Sequence, residues 1–292
     1  MDELALNEPS VLPSVAAGVD HSGSHLVVPR LLVPKPPSKY TRWGQRILGP
    51  VGVFVLWWVV TAGFHLVGEQ VLPSPSEVWQ GYEHLVATHQ LWASISISIR
   101  RALFGLLFGI VAGVGIGLFT GITGIGDRII DPVVQMFRTV PVLALSPLFI
   151  IWFGVGEAPK IILIAVATTF PLYVNTHGAV RAVDPRLKEA AWIFGVSRVR
   201  TVFEIVIPAA LPTMLDGLRL SLGIALLALV FAEQINAQFG VGALLVDAQN
   251  YFQNNVVMDC VILYAIWGVL GDVVVRGLQW LLVPWLRGVN VH

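Results

Sequence analysis

Residues 102–126 read ALFGLLFGIVAGVGIGLFTGITGIG, bounded by Arg101 and Asp127 and free of charge throughout. The run exceeds the roughly 20 apolar residues that carry an α-helix across a hydrocarbon core about 30 Å thick. Gly105, Gly109, Gly113, Gly117 and Gly121 recur at every fourth position of it. Small residues at that spacing share one side of a helix and let a neighbouring backbone come close. The stretch therefore predicts a membrane-spanning helix packed on another along a glycine seam. Tight packing is the first role expected of that seam, and sliding during a transport cycle the second.

Similar runs lie on both sides. Charge is absent between Arg46 and Glu69, between Arg138 and Glu157, and between Lys160 and Arg181. Two further runs are interrupted, Pro208–Gln234 by Asp216 and Arg219, and Val256–Val275 by Asp259 and Asp272 with Arg276 just beyond. Asp216 with Arg219, and Asp272 with Arg276, have the spacing to meet on one helical face, which softens the cost of burying charge in a membrane. The fold class expected is all-α, a polytopic membrane protein with six transmembrane helices. A barrel would show short alternating segments instead.

Composition agrees. Of 292 residues 55% are hydrophobic and 12% charged, with mean hydropathy +0.76, against about a quarter charged in soluble domains. A compact soluble fold and a disordered chain are both excluded. Eighteen basic residues balance eighteen acidic ones, so no basic surplus suggests nucleic-acid binding. The lone Cys260 cannot make an intrachain disulfide.

Orientation follows from lysine and arginine in short loops. Lys35, Lys39, Arg42 and Arg46 precede the first span, residues 68–92 hold three glutamates and no lysine or arginine, and Arg181, Arg186, Lys188, Arg198 and Arg200 lie between the fourth and fifth spans. Both termini and that basic loop are expected in the cytoplasm. Arg100 and Arg101 sit awkwardly for this topology, near the outer end of the second span. Residues 1–38, rich in proline and acidic at the start, lack a basic start and a small-residue cleavage site and read as a flexible cytoplasmic tail. Residues 39–287 form the transmembrane domain.

The loop at 182–207 carries the functional signal. Residues 184–212 read DPRLKEAAWIFGVSRVRTVFEIVIPAALP. Asp184 can cap a helix whose first residue is Pro185, and Gly195 can stop it. Leu187, Ala190, Ala191 and Phe194 fall on one small apolar face. A second helical segment, Arg198 to Ile207, is expected to end at Pro208.

Glu189-Ala190-Ala191, Gly195, Ile205 and Ile207-Pro208 together resemble the EAA loop, E-A-A-x3-G-x9-I-x-L-P, of binding-protein-dependent ABC importer permeases. The sole departure is Ile207 in place of leucine. Leu72-Pro73-Ser74-Pro75, residues 141–148, residues 152–156, Gly217-Leu218-Arg219 and residues 232–242 are similar to the nitrate, sulfonate, taurine and bicarbonate branch, above all to aliphatic sulfonate permeases. The resemblance covers roughly residues 47–287. It implies the type I importer fold in a bacterial-type plasma (inner) membrane, in which this loop is the coupling helix. The ATPase-coupling residues are then Glu189, Ala190, Ala191, Gly195, Ile205 and Pro208. It also implies the partners: a pair of ABC ATPase subunits that use ATP and Mg²⁺, an external solute-binding protein, and a second permease copy as a homodimer. No cofactor is expected on this chain. The solute implied is a small anion, aliphatic sulfonate first, with taurine, nitrate or bicarbonate next. A thiamine-precursor pyrimidine is the alternative within the importers, and a secondary transporter or channel the alternative outside them.

Candidate pathway residues are few. Glu233 lies near the outer end of the fifth span without an obvious partner on its own helix, and an intramembrane carboxylate is a functional candidate as much as a structural one. Thr168, Thr169, Asn175 and His177 flank Pro171, which should kink the fourth span and free backbone carbonyls. Arg100, with Arg101 beside it, is the outer-half cation available to an anionic solute. His84 and His89 have no third ligand near them in sequence, so no metal site is expected. The sequence has no phosphate-binding GxxxxGK[ST] loop, no HExxH and no GxSxG. A transport subunit is expected, not an enzyme.

Overall fold

The computed structural model describes residues 39–64, 67–68, 71–235 and 237–285. The N-terminal tail expected at residues 1–38 lies outside them. Two units divide at Gly52/Val53. The described part of the first is the start of helix α1 (Lys39–Trp58), and the second unit holds everything from Val53 onward. No strand occurs among the described residues.

Among the described residues four helical runs are long and apolar enough to cross a membrane: α3 (Gln90–Ile122), α6 (Ala158–Ala182), the run Arg198–Gln234 that ends in α9 (Ile207–Gln234), and α11 (Asn254–Leu282). A fifth is a pair, α4 (Gly124–Arg138) and the segment Val142–Phe153, bent by 81°. The apolar stretch Leu48–Gly63, where α1 passes into a π turn, is shorter. Six segments correspond to the six expected, and the third differs in kind. The charge-free run after Arg138 is a 3-10 turn (Val142–Leu145) followed by α5 (Ser146–Phe153), eight residues long. At 1.5 Å per residue α5 spans only about 12 Å. Pro141 cannot donate to a helical ladder, so it breaks the path, and α5 restarts with Pro147 in its first turn.

The glycine seam is the spine of the fold. Gly105, Gly117 and Gly121 lie against Ile164, Thr176 and Val180, and a methyl group on any of them would come within 2.5–2.8 Å of those side chains. Gly109 meets Thr168, and Gly113 meets the backbone at Thr169. The numbers rise together, so α3 and α6 run parallel in register. Tight packing, the first role expected of the seam, is what it does in this structure. In lipid there is no water to expel between helices, so this closeness of approach is itself the main attraction.

Helix α9 lies antiparallel to α6. Ile164 and Ala167 pack on Ala225, Ala228 and Leu229, while Val180 and Val183 pack on Val206 and Ala210. The bundle thus has a loop end, holding residues 182–206, and a far end. The far end carries α2 (Pro75–Ala87) and α10 (Val241–Asn250), which share a core of Leu85, Leu91, Ala248 and Val256. Ser74 caps α2 through a reciprocal box with Glu77, satisfying two orphan donors.

The segment from Arg198 does not stop at Pro208. It runs through α8 (Arg198–Thr201) and a π turn (Val202–Val206) directly into α9. Pro208 has no N–H to offer the carbonyl four residues back, and the widened π turn just before it accommodates the lost bond.

Candidate coupling and translocation site

At the loop end, α7 (Pro185–Ile193) is built as the sequence predicts. The Asp184 carboxylate accepts the Arg186 amide at 2.9 Å, and Pro185 occupies the first turn. Gly195 adopts φ +72°. Its amide donates to the Trp192 carbonyl at 3.0 Å and the next amide, of Val196, donates to Ala191 at 2.9 Å. That pair of bonds is a Schellman stop, which favours glycine at the left-handed position. The apolar face divides. Ala191 alone is buried, while Trp192, Ile193 and Phe194 are 79%, 77% and 84% exposed. Leu187, Glu189 and Ala190 are exposed as well. The exposed aromatic and aliphatic cluster, on a helix held by few contacts of its own, has the character of a docking surface. Ile205 and Pro208 lie behind it, in the π turn and the first turn of α9.

At the far end a buried polar lock joins α3, α6, α9 and α10. Arg101 is 2% exposed and Glu233 1%. Arg101 donates two bonds of 2.6 Å to the Glu157 carboxylate, from Nε and Nη2. Its Nη1 donates to Glu233 at 2.7 Å and to the Phe239 carbonyl at 2.6 Å. Glu233 also accepts from the Ser98 hydroxyl at 2.7 Å and the Gly242 amide at 2.8 Å. Ser98 accepts the Val241 amide at 2.9 Å. The carboxylate thus sits at the positive N-terminus of α10. Gly240, at φ +131°, makes the turn that brings these amides in, and a side chain there would strike Glu233 and Arg101. Glu233 therefore has the partners that its own helix lacks.

Glu157 lies just before α6. Hydrogen bonds from Arg101 hold its carboxyl below the usual carboxylate range, against the opposing push of burial. A carboxyl with a depressed folded pKa contributes stability above its unfolded value, about 4.3 for glutamate, and loses it as pH falls through the lower folded value. The bridge is expected intact from neutral pH to about pH 5. Glu157→Gln should remove the part of the thermal stability that the wild type loses below about pH 4. Coincident acid profiles of melting temperature for the two proteins in detergent would contradict this.

Toward the loop end, α4 is tied to α6. Asp127 accepts from Arg181 at 2.8 Å and lies 3.0 Å from His177 Nε2. Asp131 accepts from the Tyr173 hydroxyl at 2.6 Å. The pairing expected between Asp216 and Arg219 does not form. Both side chains reach across to α11, where Arg219 meets Asp272 and Asp216 accepts from Gln279 at 2.8 Å. A packed neighbouring helix offers partners nearer than the next turn of the same one. Asp272 and Arg276 do pair, at 2.7 Å.

Between these ends, the α4–α5 bend, α6 and α9 enclose an open cavity of about 410 Å³ bordered by Arg138, Leu143, Phe170, Asn175 and Ile224. Of the pathway residues expected from sequence, Asn175 lines it, donating to the Pro171 carbonyl at 2.8 Å. Thr168 is buried and Thr169 partly so; both hydroxyls donate to the Ala165 carbonyl of their own helix, the turn before Pro171. Arg100 is exposed, and its neighbour Arg101 is the buried one. Sequence reasoning named Arg101 only beside Arg100, as an outer-half cation, and passed over Ser98 and Arg138.

The profile of the family described as binding-protein-dependent transport system inner membrane component matches residues 105–288. SsuC of Bacillus subtilis, named as an aliphatic sulfonates transport permease protein, is 39% identical over 86% of this chain and 91% of its own length. SsuC of Escherichia coli is 39% identical over 81% and 89%, and TauC of the same species, named as a taurine transport system permease protein, is 31% identical over 82% and 88%. A chain from a crystal structure of the MetNI methionine ABC transporter in an inward-facing conformation shares the fold, with TM-score 0.54 at 19% identity over 64% of this chain and 95% of that one. The chain belongs to the family of binding-protein-dependent transport system inner membrane components, and it is a multi-pass ABC transporter permease.

Proposed function

We propose that this permease imports a small anion, an aliphatic sulfonate before taurine, nitrate or bicarbonate, and that it works as a homodimer. In this reading both termini and the loop end face the cytoplasm. Two separate ATPase subunits bind ATP and Mg²⁺, close, and push on α7. An external binding protein delivers the solute at the far end. The observation that carries the reading is α7 itself: a capped helix with exposed Trp192, Ile193 and Phe194, on the basic loop that joins the two core helices α6 and α9. A push on it reaches both helices that border the central cavity. The named solutes of the sulfonate and taurine relatives support the substrate class. A more distant relative, ThiX of Halalkalibacterium halodurans, is named as a formylaminopyrimidine transport permease and is 27% identical, so the pyrimidine is the competitor to include in uptake assays.

Gly195→Trp forces a bulky side chain into the left-handed stop, and Phe194→Ala removes an exposed anchor. Anchors of this kind contribute about 2 kcal/mol or more at interfaces. Both variants are expected to insert in the membrane normally while retaining at least roughly tenfold less ATPase on co-purification, and Glu189→Ala to lower uptake in step. Unchanged co-purification together with unchanged uptake in all three would refute the coupling role of α7. Uptake that persists with the ATPase inactivated would instead favour a secondary transporter or channel.

A further inference from the structure

We propose that Arg138 is the charge with which the permease itself engages its anionic solute, in the cavity at the α4–α5 bend. The proposal rests on the importer reading and adds to it a solute site within this chain.

Arg138 is the last residue of α4, at the 81° bend before Val142–Phe153. Pro171, which borders the same cavity, lies about 16 Å along α6 from its end at Ala182. That is close to the middle of a hydrocarbon core about 30 Å thick. A cation at such depth is costly and is normally paired. Arg101 has Glu157 and Glu233, and Arg219 and Arg276 share Asp272. Arg138 has no ion pair or hydrogen bond among the described residues. The acidic side chain nearest along its own helix, Asp131, feels the Arg138 charge without a hydrogen bond to it, its oxygen being taken by Tyr173 and Gln135. The fold therefore holds a guanidinium at the rim of a cavity and leaves its donors to something else.

The cavity defines what that is. Its other walls are apolar, with Leu143 from the bend, Phe170 from α6 and Ile224 from α9, and no carboxylate borders it. Asn175 donates one amide N–H to Pro171, and its amide nitrogen carries a second. A guanidinium fork matches the oxygens of a sulfonate or carboxylate head, and the apolar walls match an alkyl body. A bare inorganic anion would leave those walls unused, and an organic cation would meet the wrong charge. The class of ligand is a small amphiphilic anion, an alkanesulfonate above all.

The test uses the whole importer, this permease with its ATPase and binding protein, in proteoliposomes with ATP on the ATPase side and ethanesulfonate as probe. Losing a hydrogen bond to a charged group lowers transport by roughly 10- to 100-fold. That loss is expected in Arg138→Ala and Arg138→Gln, with uptake in Arg138→Lys within about a tenth of wild type or better. ATPase co-purification reports assembly. In parallel, Leu143→Cys, a reporter on the cavity wall with Arg138 intact, should react with a cationic methanethiosulfonate in the solubilised complex and be protected by ethanesulfonate; the one native cysteine of this chain, Cys260, is buried. The proposal is overturned if Arg138→Ala transports as wild type does, if an assembled Arg138→Lys does no better than Arg138→Gln, or if ethanesulfonate leaves the labelling rate unchanged. Absence of ATP-dependent ethanesulfonate uptake by the wild type would sink the sulfonate reading on which this site rests, a result distinct from each of these.

Discussion

Arg101→Ala is expected to cost the permease about 3–5 kcal/mol, the usual result of stripping one partner from a buried ion pair. The reason lies in what remains. Glu233 would keep only the Ser98 hydroxyl, the Gly242 amide and a long 3.4 Å contact to the Tyr264 hydroxyl, with no cation hydrogen-bonded to it. The Phe239 carbonyl would lose its donor, so the turn feeding α10 would come loose from α3. A lower melting temperature in detergent is expected together with faster proteolysis of residues 235–253. Arg101→Lys should fall between the two proteins, because one ammonium cannot fork to Glu157 and still reach both Glu233 and Phe239. Arg100→Ala is the matched control. Its side chain is exposed and has no ion pair among the described residues, so its effect on stability should stay within about 0.5 kcal/mol. Equal losses at the two arginines would mean that the lock is not what holds this end together. A cycle with Glu233→Gln isolates the pair itself, and a coupling energy near zero would likewise count against the lock.

The contrast between these two arginines shows what the sequence already contained. Gly105, Gly109 and Gly113 define the buried side of α3, and counting back one turn of the same stripe reaches Arg101, with Ser98 and Ser94 beyond it. Arg100 lies about 100° round the helix. Register alone therefore places Arg101 inside, but reading charges as span boundaries hid it. The same habit makes Arg138 a mere span boundary, where the fold brings it to the rim of a cavity, because Pro141 turns the next segment through a sharp bend. No local pattern encodes that bend's direction. The α7 loop was legible in detail because every element of it is local: Asp184, Pro185 and Gly195 act within one turn of themselves. Glu233 was legible as unusual and not as paired, since its partners lie far away in sequence. The partners that Asp216 and Arg219 find on α11 depend likewise on which helices become neighbours.

Substitution in the glycine seam should separate close packing from mere small size. A side chain at Gly113 would meet the Thr169 carbonyl at 2.6 Å and the Leu172 Cβ at 2.7 Å. The first is backbone of α6 and cannot turn aside as a flexible side chain could. Gly113→Ala therefore forces the two helices apart, and overpacking of this kind costs about 1–3 kcal/mol. Because α3 and α6 run parallel in register, a displacement at Gly113 also opens the contacts at Gly109 and Gly117. Gly113→Leu is accordingly expected to leave no folded permease, read as loss of the monodisperse peak after solubilisation. Gly115 is two residues away on the opposite side, with nothing within 4 Å of the position a side chain would take. There Gly→Ala adds only helix propensity, worth about 0.5–1 kcal/mol in favour of the variant. If Gly115→Ala proves as harmful as Gly113→Ala, the exposed side of α3 must also be in close contact in the working protein, and the second permease copy becomes the first surface to test. If neither substitution matters, the approach of α3 to α6 is looser than the structure shows, and the seam is free to slide.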